Sequence, residues 1–214
     1  MMAPRRRRKR EMPELPDIAV YIECLERRIS GRVLQSVRVA SPFLLRTVEP
    51  RLSVVAGRRV NGMRRIGKRI AIGLDGDLFL VLHLMIAGRL HWRDAGARLG
   101  AKRDLAGFWF PEGTLVLTEA GSKRRASLHV VAGATGLRAM DPGGLEVMDC
   151  GEGDFAKAIA SENHTLKRAL TDPRLFSGIG NAYSDEILHR ARLSPIAMTR
   201  ALTDSQISDL YSAT

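Results

Sequence analysis

The chain has only two cysteines, Cys24 and Cys150, far apart and in no CxxC pair. That excludes a disulfide framework and gives no cysteine zinc site. It also lacks any apolar run near the roughly 20 residues a membrane helix needs. The basic start is followed by Glu11, Glu14 and Asp17 instead of a signal-peptide apolar core. A soluble cytoplasmic protein with no membrane partner is the expectation. No internal repeat is visible, and no low-complexity tract beyond the first residues.

What remains is an ordinary globular composition with an unusual charge. With 45% hydrophobic and 27% charged residues in 214, the chain can bury a real core, and its length suggests two domains. The formal net charge is +11. Residues 1–11 carry six basic side chains and one acidic, so residues 12–214 retain +6. A basic body with a basic arm points to a polyanionic partner.

Residues 1–12 read as a disordered basic extension, because like charges repel and nothing there can be buried. Ile18, Ile22, Leu25 and Ile29 recur at helical spacing, predicting an amphipathic helix that ends near Gly31. Short alternating or β-branched runs follow at 33–39, 69–74, 78–85, 89–92, 114–118 and 127–131, with an Asp75-Gly76-Asp77 hairpin signal. About 100 residues of this kind imply an antiparallel sandwich or barrel. The segment from Asp141 to Gly144 breaks the pattern. Helices are predicted at 154–160, 165–172, 182–192 and 204–213, the last opened by Thr203 with Gln206 at capping-box spacing.

The densest information lies in residues 165–195. Gly178-Ile179-Gly180-Asn181 interrupts two helical patterns and sets Asn181 where an N-cap belongs, leaving backbone N–H groups free for a phosphate, with Lys167 and Arg168 as counter-charge. A tight helical corner in which the glycines serve packing alone is the competing reading.

This stretch resembles the helix-two-turn-helix motif of the formamidopyrimidine-DNA glycosylase and endonuclease VIII family, through Lys167, Asp172, the GIGN run, Tyr183, Asp185-Glu186 and Ser194-Pro195. Met12 to Asp17 (MPELPD) resembles that family's amino terminus, and Arg64 to Lys68 and His83 to Leu90 supply two further matches in the family's order. The resemblance implies an α+β multi-domain fold: an N-terminal antiparallel β-sandwich with a leading helix, residues 13–138, then an all-α helix-two-turn-helix domain, residues 139–214.

It also implies a bifunctional activity: a base-excision-repair glycosylase with abasic-site lyase activity, acting as a monomer on duplex DNA containing oxidised bases or abasic sites. Pro13 would be the nucleophile, joining the sugar C1′ as a Schiff base, and Glu14 the proton-transfer group, in need of burial. Lys68 would hold phosphate and sugar. His83, Gly180, Asn181 and Lys167 would grip the backbone, with Ile86 and Arg124 filling the gap left by a flipped base. Ile86 and Ala126 stand where many relatives insert Met and Phe, and an alanine is too small for a wedge. The basic loop from Glu119 to Ser127 is otherwise a solvated hairpin tip.

Pro13 attacks only as a free amine, so translation starting at Met12, with that methionine trimmed, is the expectation. The alternative is a catalytically inactive damaged-DNA binder with a genuine arm; an RNA-binding ribosomal-type module is a more distant third. The family's carboxy-terminal zinc finger, which contributes an arginine to the lesion, has no counterpart before Thr214, so no metal or cofactor is expected.

Overall fold

The computed structural model describes residues 12–121 and 123–214; the extension at 1–11 lies outside them. Helix α1 (Leu15–Ile29) opens with proline in its first turn, where a missing N–H costs nothing. Its start is fixed by Asp17, whose carboxylate accepts the Glu14 N–H at 3.0 Å. Ile18, Leu25 and Ile29 are buried, and Ile22 packs beside them, so the predicted apolar stripe is the core face.

Nine strands follow in two antiparallel sheets. One has the order β1 (Val33–Leu34), β3 (Arg58–Ile66), β4 (Arg69–Leu74), β5 (Leu78–His83), β9 (Ser127–Ala132); the other has β2 (Ser36–Val39), β7 (Asp104–Phe110), β8 (Gly113–Glu119), β6 (Gly88–Arg93). Between the sheets, Ile70, Ile72, Leu80, Leu82, Leu128 and Val130 meet Leu105, Phe108, Leu115 and Leu117 in one core. The outer face of the first sheet carries a second cluster, Ala71, Phe79, Val81 and Val131, covered by Leu137 of the short helix α2 (Gly133–Arg138).

Three elements differ from the sequence expectation. The run at 33–39 breaks at Gln35, its halves pairing with different sheets. Strands β3 and β7 were not expected as strands. The first is rich in arginine, four of nine residues, because much of it faces solvent. The second contains Gly107, whose missing Cβ leaves room for the Trp109 ring, within 2.6 Å of where that Cβ would stand.

The helical region contains α3 (Glu152–Ala160), α4 (Leu166–Thr171), α5 (Asn181–Ala191) and α6 (Asp204–Ala213). Its separate core stacks Phe155 on Phe176, ring centroids 4.9 Å apart, beside Ile159, Leu170, Leu188 and Leu210. The Thr203–Gln206 capping box at the start of α6 is formed on both sides. Among the described residues no helix is long and apolar enough to cross a membrane.

The register places every feature of interest at one end of the sandwich. Ile66, Arg69, His83 and Ser127 are cross-strand neighbours in the first sheet, and Gly88, Glu119 and Asp104 end the matching strands of the second. The Gly67–Lys68 turn, the loops 40–45 and 84–87 and the segment 123–126 therefore emerge together.

Candidate active site

Pro13 and Glu14 are both buried, Glu14 with 1% of its surface exposed. The Glu14 carboxylate crosses to the helical region: Oε2 accepts the N–H of Gly180 at 2.6 Å and of Tyr183 at 3.1 Å, and Oε1 accepts that of Ala182 at 2.9 Å. These are orphan donors at the positive end of α5, so a buried anion there is matched in hydrogen bonds and in dipole.

This corrects two expectations. Gly180, not Asn181, is the N-cap, and Asn181 is the first helical residue, exposed to solvent. The N–H groups expected to be open to a phosphate are taken by Glu14. Lys167 is not an idle counter-charge either: its Nζ donates to the Asn181 carbonyl at 2.7 Å and to Asp185 Oδ1 at 2.5 Å. The donors of the corner were legible in sequence, but their acceptor lies 166 residues away.

The glycines are needed for the approach. A Cβ on Gly180 would stand 2.5 Å from the Glu14 carboxyl group. Gly178 has φ +84°, in the left-handed region, and a Cβ there would meet Leu15 at 2.8 Å. Its carbonyl also accepts the Leu15 N–H at 3.0 Å, so backbone and side chain together dock the amino-terminal segment on the helical corner.

Lys68 completes the cluster. It sits after Gly67, whose φ of +56° makes the β3–β4 turn, and its Nζ donates to the Ile179 carbonyl at 3.0 Å. Burial lowers its pKa, with the Glu14 charge opposing that shift. One cation thus stands against the corner that holds the carboxylate.

Sequence reading did not single out the residues that brace this arrangement. Arg65 donates to Ser177 Oγ at 3.1 Å, to the Gly67 carbonyl at 3.0 Å and to Glu146, while Ser177 donates to Glu146 at 2.5 Å. This network ties the β3–β4 turn to the segment before α3 and the segment after α4. Arg65 lies in the quoted Arg64 to Lys68 motif, but nothing local names its partners.

His83, at the end of β5, is mostly buried, and its Nε2 has no hydrogen-bond partner among the described residues. Desolvation first, then the charges of Arg69, Lys68 and His129, lowers its pKa from 6.5 to about 4, so it is neutral near pH 7. Ile86 is 44% exposed at the tip of the next loop, after Met85 in a left-handed conformation.

On the neighbouring loop, buried Glu119 accepts the N–H groups of Arg125 (3.0 Å) and Ala126 (3.1 Å), which bends the chain so that Ala126 enters the core and Arg124 stays outside. Arg124 itself donates to the Lys102 carbonyl at 2.6 Å. The loop is therefore anchored at its base.

No group of three or more His, Cys, Asp or Glu side chains able to hold a metal occurs among the described residues. Cys24 sits on α1 and Cys150 in the helical region.

A two-sheet sandwich led by one helix, with the Glu14 carboxylate sealed on a glycine corner between helices, defines a two-part architecture with one buried junction. Comparison with known proteins gives the family. Residues 12–131 match the formamidopyrimidine-DNA glycosylase N-terminal domain, and residues 145–214 match the formamidopyrimidine-DNA glycosylase H2TH domain. The chain is 32% identical to the formamidopyrimidine-DNA glycosylase of Heliobacterium modesticaldum over 208 residues, 94% of this chain and 75% of that protein.

Its fold superposes with a TM-score of 0.85 on a Lactococcus lactis Fpg mutant in complex with Fapy-dG-containing DNA, at 25% identity over 94% of this chain and 75% of that one. The same score relates it to Lactococcus lactis Fpg bound to abasic-site DNA, at 24% identity, 94% of this chain and 74% of that one. The chain belongs to the formamidopyrimidine-DNA glycosylase family.

Proposed function

We propose that the protein, in a form that begins at Pro13, is a bifunctional glycosylase and abasic-site lyase acting as a monomer on duplex DNA with oxidised bases or abasic sites. The observation that carries this reading is the buried junction in which Pro13 is followed by a carboxylate held on the Gly180, Ala182 and Tyr183 amides, with Lys68 beside it. The family match beginning at Met12 supports the same start. The Lactococcus lactis Fpg mutant in complex with Fapy-dG-containing DNA supports a lesion-bearing duplex as the substrate class.

In this reading the Pro13 nitrogen bonds to C1′ and the damaged base departs with the C1′–N bond pair, taking up a proton. Cleavage of C1′–O4′ then opens the sugar and leaves an iminium, with the proton for O4′ supplied through Glu14. Loss of a C2′ proton expels the 3′ phosphate, and water on C1′ frees the proline. Lys68 stabilises negative charge on the phosphate and sugar oxygens, an effect strengthened by its half-buried setting.

Asn181, at the exposed start of α5, positions the DNA strand, with Lys167 orienting Asn181 through its carbonyl, while Gly180, its N–H given to Glu14, serves the approach of that carboxylate instead of the DNA. His83 contributes an N–H as a neutral donor. Ile86 and Arg124 enter the gap left by the extruded nucleotide. All of these groups come from the chain itself.

With Met12 still attached, the proline nitrogen is an amide and the same surface binds without a covalent step. The experiment is a strand-cleavage assay on abasic-site and oxidised-base duplexes, comparing protein that starts at Pro13 with protein that starts at Met1. Cleavage by the first and binding alone by the second is the expected result; cleavage by neither overturns the enzymatic reading.

A further inference from the structure

Extruding a nucleotide leaves its opposite base without a partner and leaves a void that inserted side chains must fill. The described residues place Ala126 with 3% of its surface exposed, inside the sandwich core, so its methyl group cannot reach DNA. Alongside it runs the loop 40–45, which sequence reading passed over. Phe43 at its tip is 75% exposed, flanked by buried Ser41 and Leu44.

That ring is presented on a fixed support. Leu44 N–H donates to the Ser41 carbonyl at 3.0 Å, Leu128 N–H to the Leu44 carbonyl at 2.8 Å and Arg46 N–H to the Leu128 carbonyl at 2.9 Å, which staples the loop to the start of β9. Phe43 lines a surface recess with Ala40, Ser41, Pro42 and the Arg124 side chain. Among described large hydrophobic residues more than two-thirds exposed, the others are Val48, Met148 and Ile196, so Phe43 alone offers an aromatic face.

Its position suits a duplex gripped at Lys68. From the Leu45–Leu128 bridge to Ile70, two residues after Lys68, the path crosses β9, β5 and β4. At about 4.8 Å per strand step this is roughly 15 Å, comparable to the roughly 12 Å width of a DNA major groove. A strand held at Lys68 and its complement can thus meet the two ends of this span.

We propose that Phe43 is a specificity-determining residue: its ring stacks on the base opposite the vacated nucleotide while Arg124 occupies the vacancy, together supplying the wedge that Ala126 cannot. This rests on the damaged-DNA reading above. A ring stack tolerates any opposite base because every base has an aromatic face.

The test uses the full chain, measuring binding to a duplex with one abasic-site analogue and to the same duplex undamaged. Native protein prefers the damaged duplex. Phe43→Ala weakens binding to the damaged duplex about tenfold or more, the size of one base–aromatic stack, with binding to undamaged duplex and thermal unfolding unchanged. Phe43→Trp restores the preference, and its added indole fluorescence is quenched on the damaged duplex only. Val48→Ala, on the same segment and 85% exposed, changes nothing. A Phe43→Ala protein that keeps the full native preference overturns the role of Phe43 and leaves the glycosylase reading intact. Native protein with no preference for damage overturns both.

Discussion

At the scale of single residues, the site depends on one carboxylate and the absence of one methyl group. Gly180→Ala would drive a Cβ into the Glu14 carboxyl group, 2.5 Å away, and Glu14 cannot withdraw without abandoning three amide donors. We expect about 1–3 kcal/mol of lost stability in urea unfolding and a larger proportional loss of turnover. A Gly180→Ala protein as stable and active as native would mean the contact is looser than described. Lys68→Gln keeps a polar group but removes the charge. Turnover should fall about a hundredfold while affinity for an abasic-site duplex changes severalfold at most; equal losses in both would make Lys68 a binding residue only.

The same scale shows where sequence reading stops. Glu14, Lys68 and the glycine corner were each legible from motif position, yet Asn181 was assigned the cap. Asparagine is a good N-cap in isolation. Here Glu14 arrives from another element and takes over that task, so the cap position needs no polar side chain. Long-range replacement of a local device leaves no local trace.

At the scale of elements, the β3–β4 turn is held to the helical region by Arg65, Ser177 and Glu146. Arg65→Met and Glu146→Gln should be strongly non-additive in a double-mutant cycle on stability, with a coupling of about 1 kcal/mol given that Glu146 is 39% exposed. Simple additivity would show that the pair does not brace the turn.

The end of β5 makes a pH prediction. His83 is held neutral in the fold, its pKa of about 4 lying below the unfolded 6.5, so the unfolded chain binds the proton more readily. The stability it contributes is complete above pH 6.5 and is lost as pH falls toward 4. Between pH 7.5 and 5 the His83 share of that loss is about 2 kcal/mol. His129, lowered in the same direction by burial and Arg69, adds to it. His83→Asn should flatten the pH profile of the urea midpoint over that range; an unchanged slope would contradict the assignment.

Strand existence was legible where residues alternate or are apolar throughout, as in β4, β5 and β8. It was hidden in β3, whose paired arginines break the apolar alternation on both faces, and in β7, whose central glycine reads as a break while serving the Trp109 ring. The four helices of the second region were readable because each carries its own apolar stripe and its own punctuation.

At the scale of the whole molecule, charge and architecture point the same way. A body of +6 with an arm of +5 favours a polyanion without reading its sequence. Log affinity for undamaged duplex should fall linearly with log salt, and more steeply for the full chain than for protein beginning at Pro13, because each phosphate contact adds about 0.9 to the slope. Equal slopes would show that the first residues do not touch DNA.

The central claim concerns one nitrogen. The most direct measurement is tandem mass spectrometry of the covalent product formed when protein beginning at Pro13 meets abasic-site duplex in the presence of borohydride. The account predicts a reduced deoxyribose remnant on the Pro13 nitrogen, absent when residues 1–12 are attached. A remnant on a lysine, or strand cleavage with no adduct at all, would contradict it.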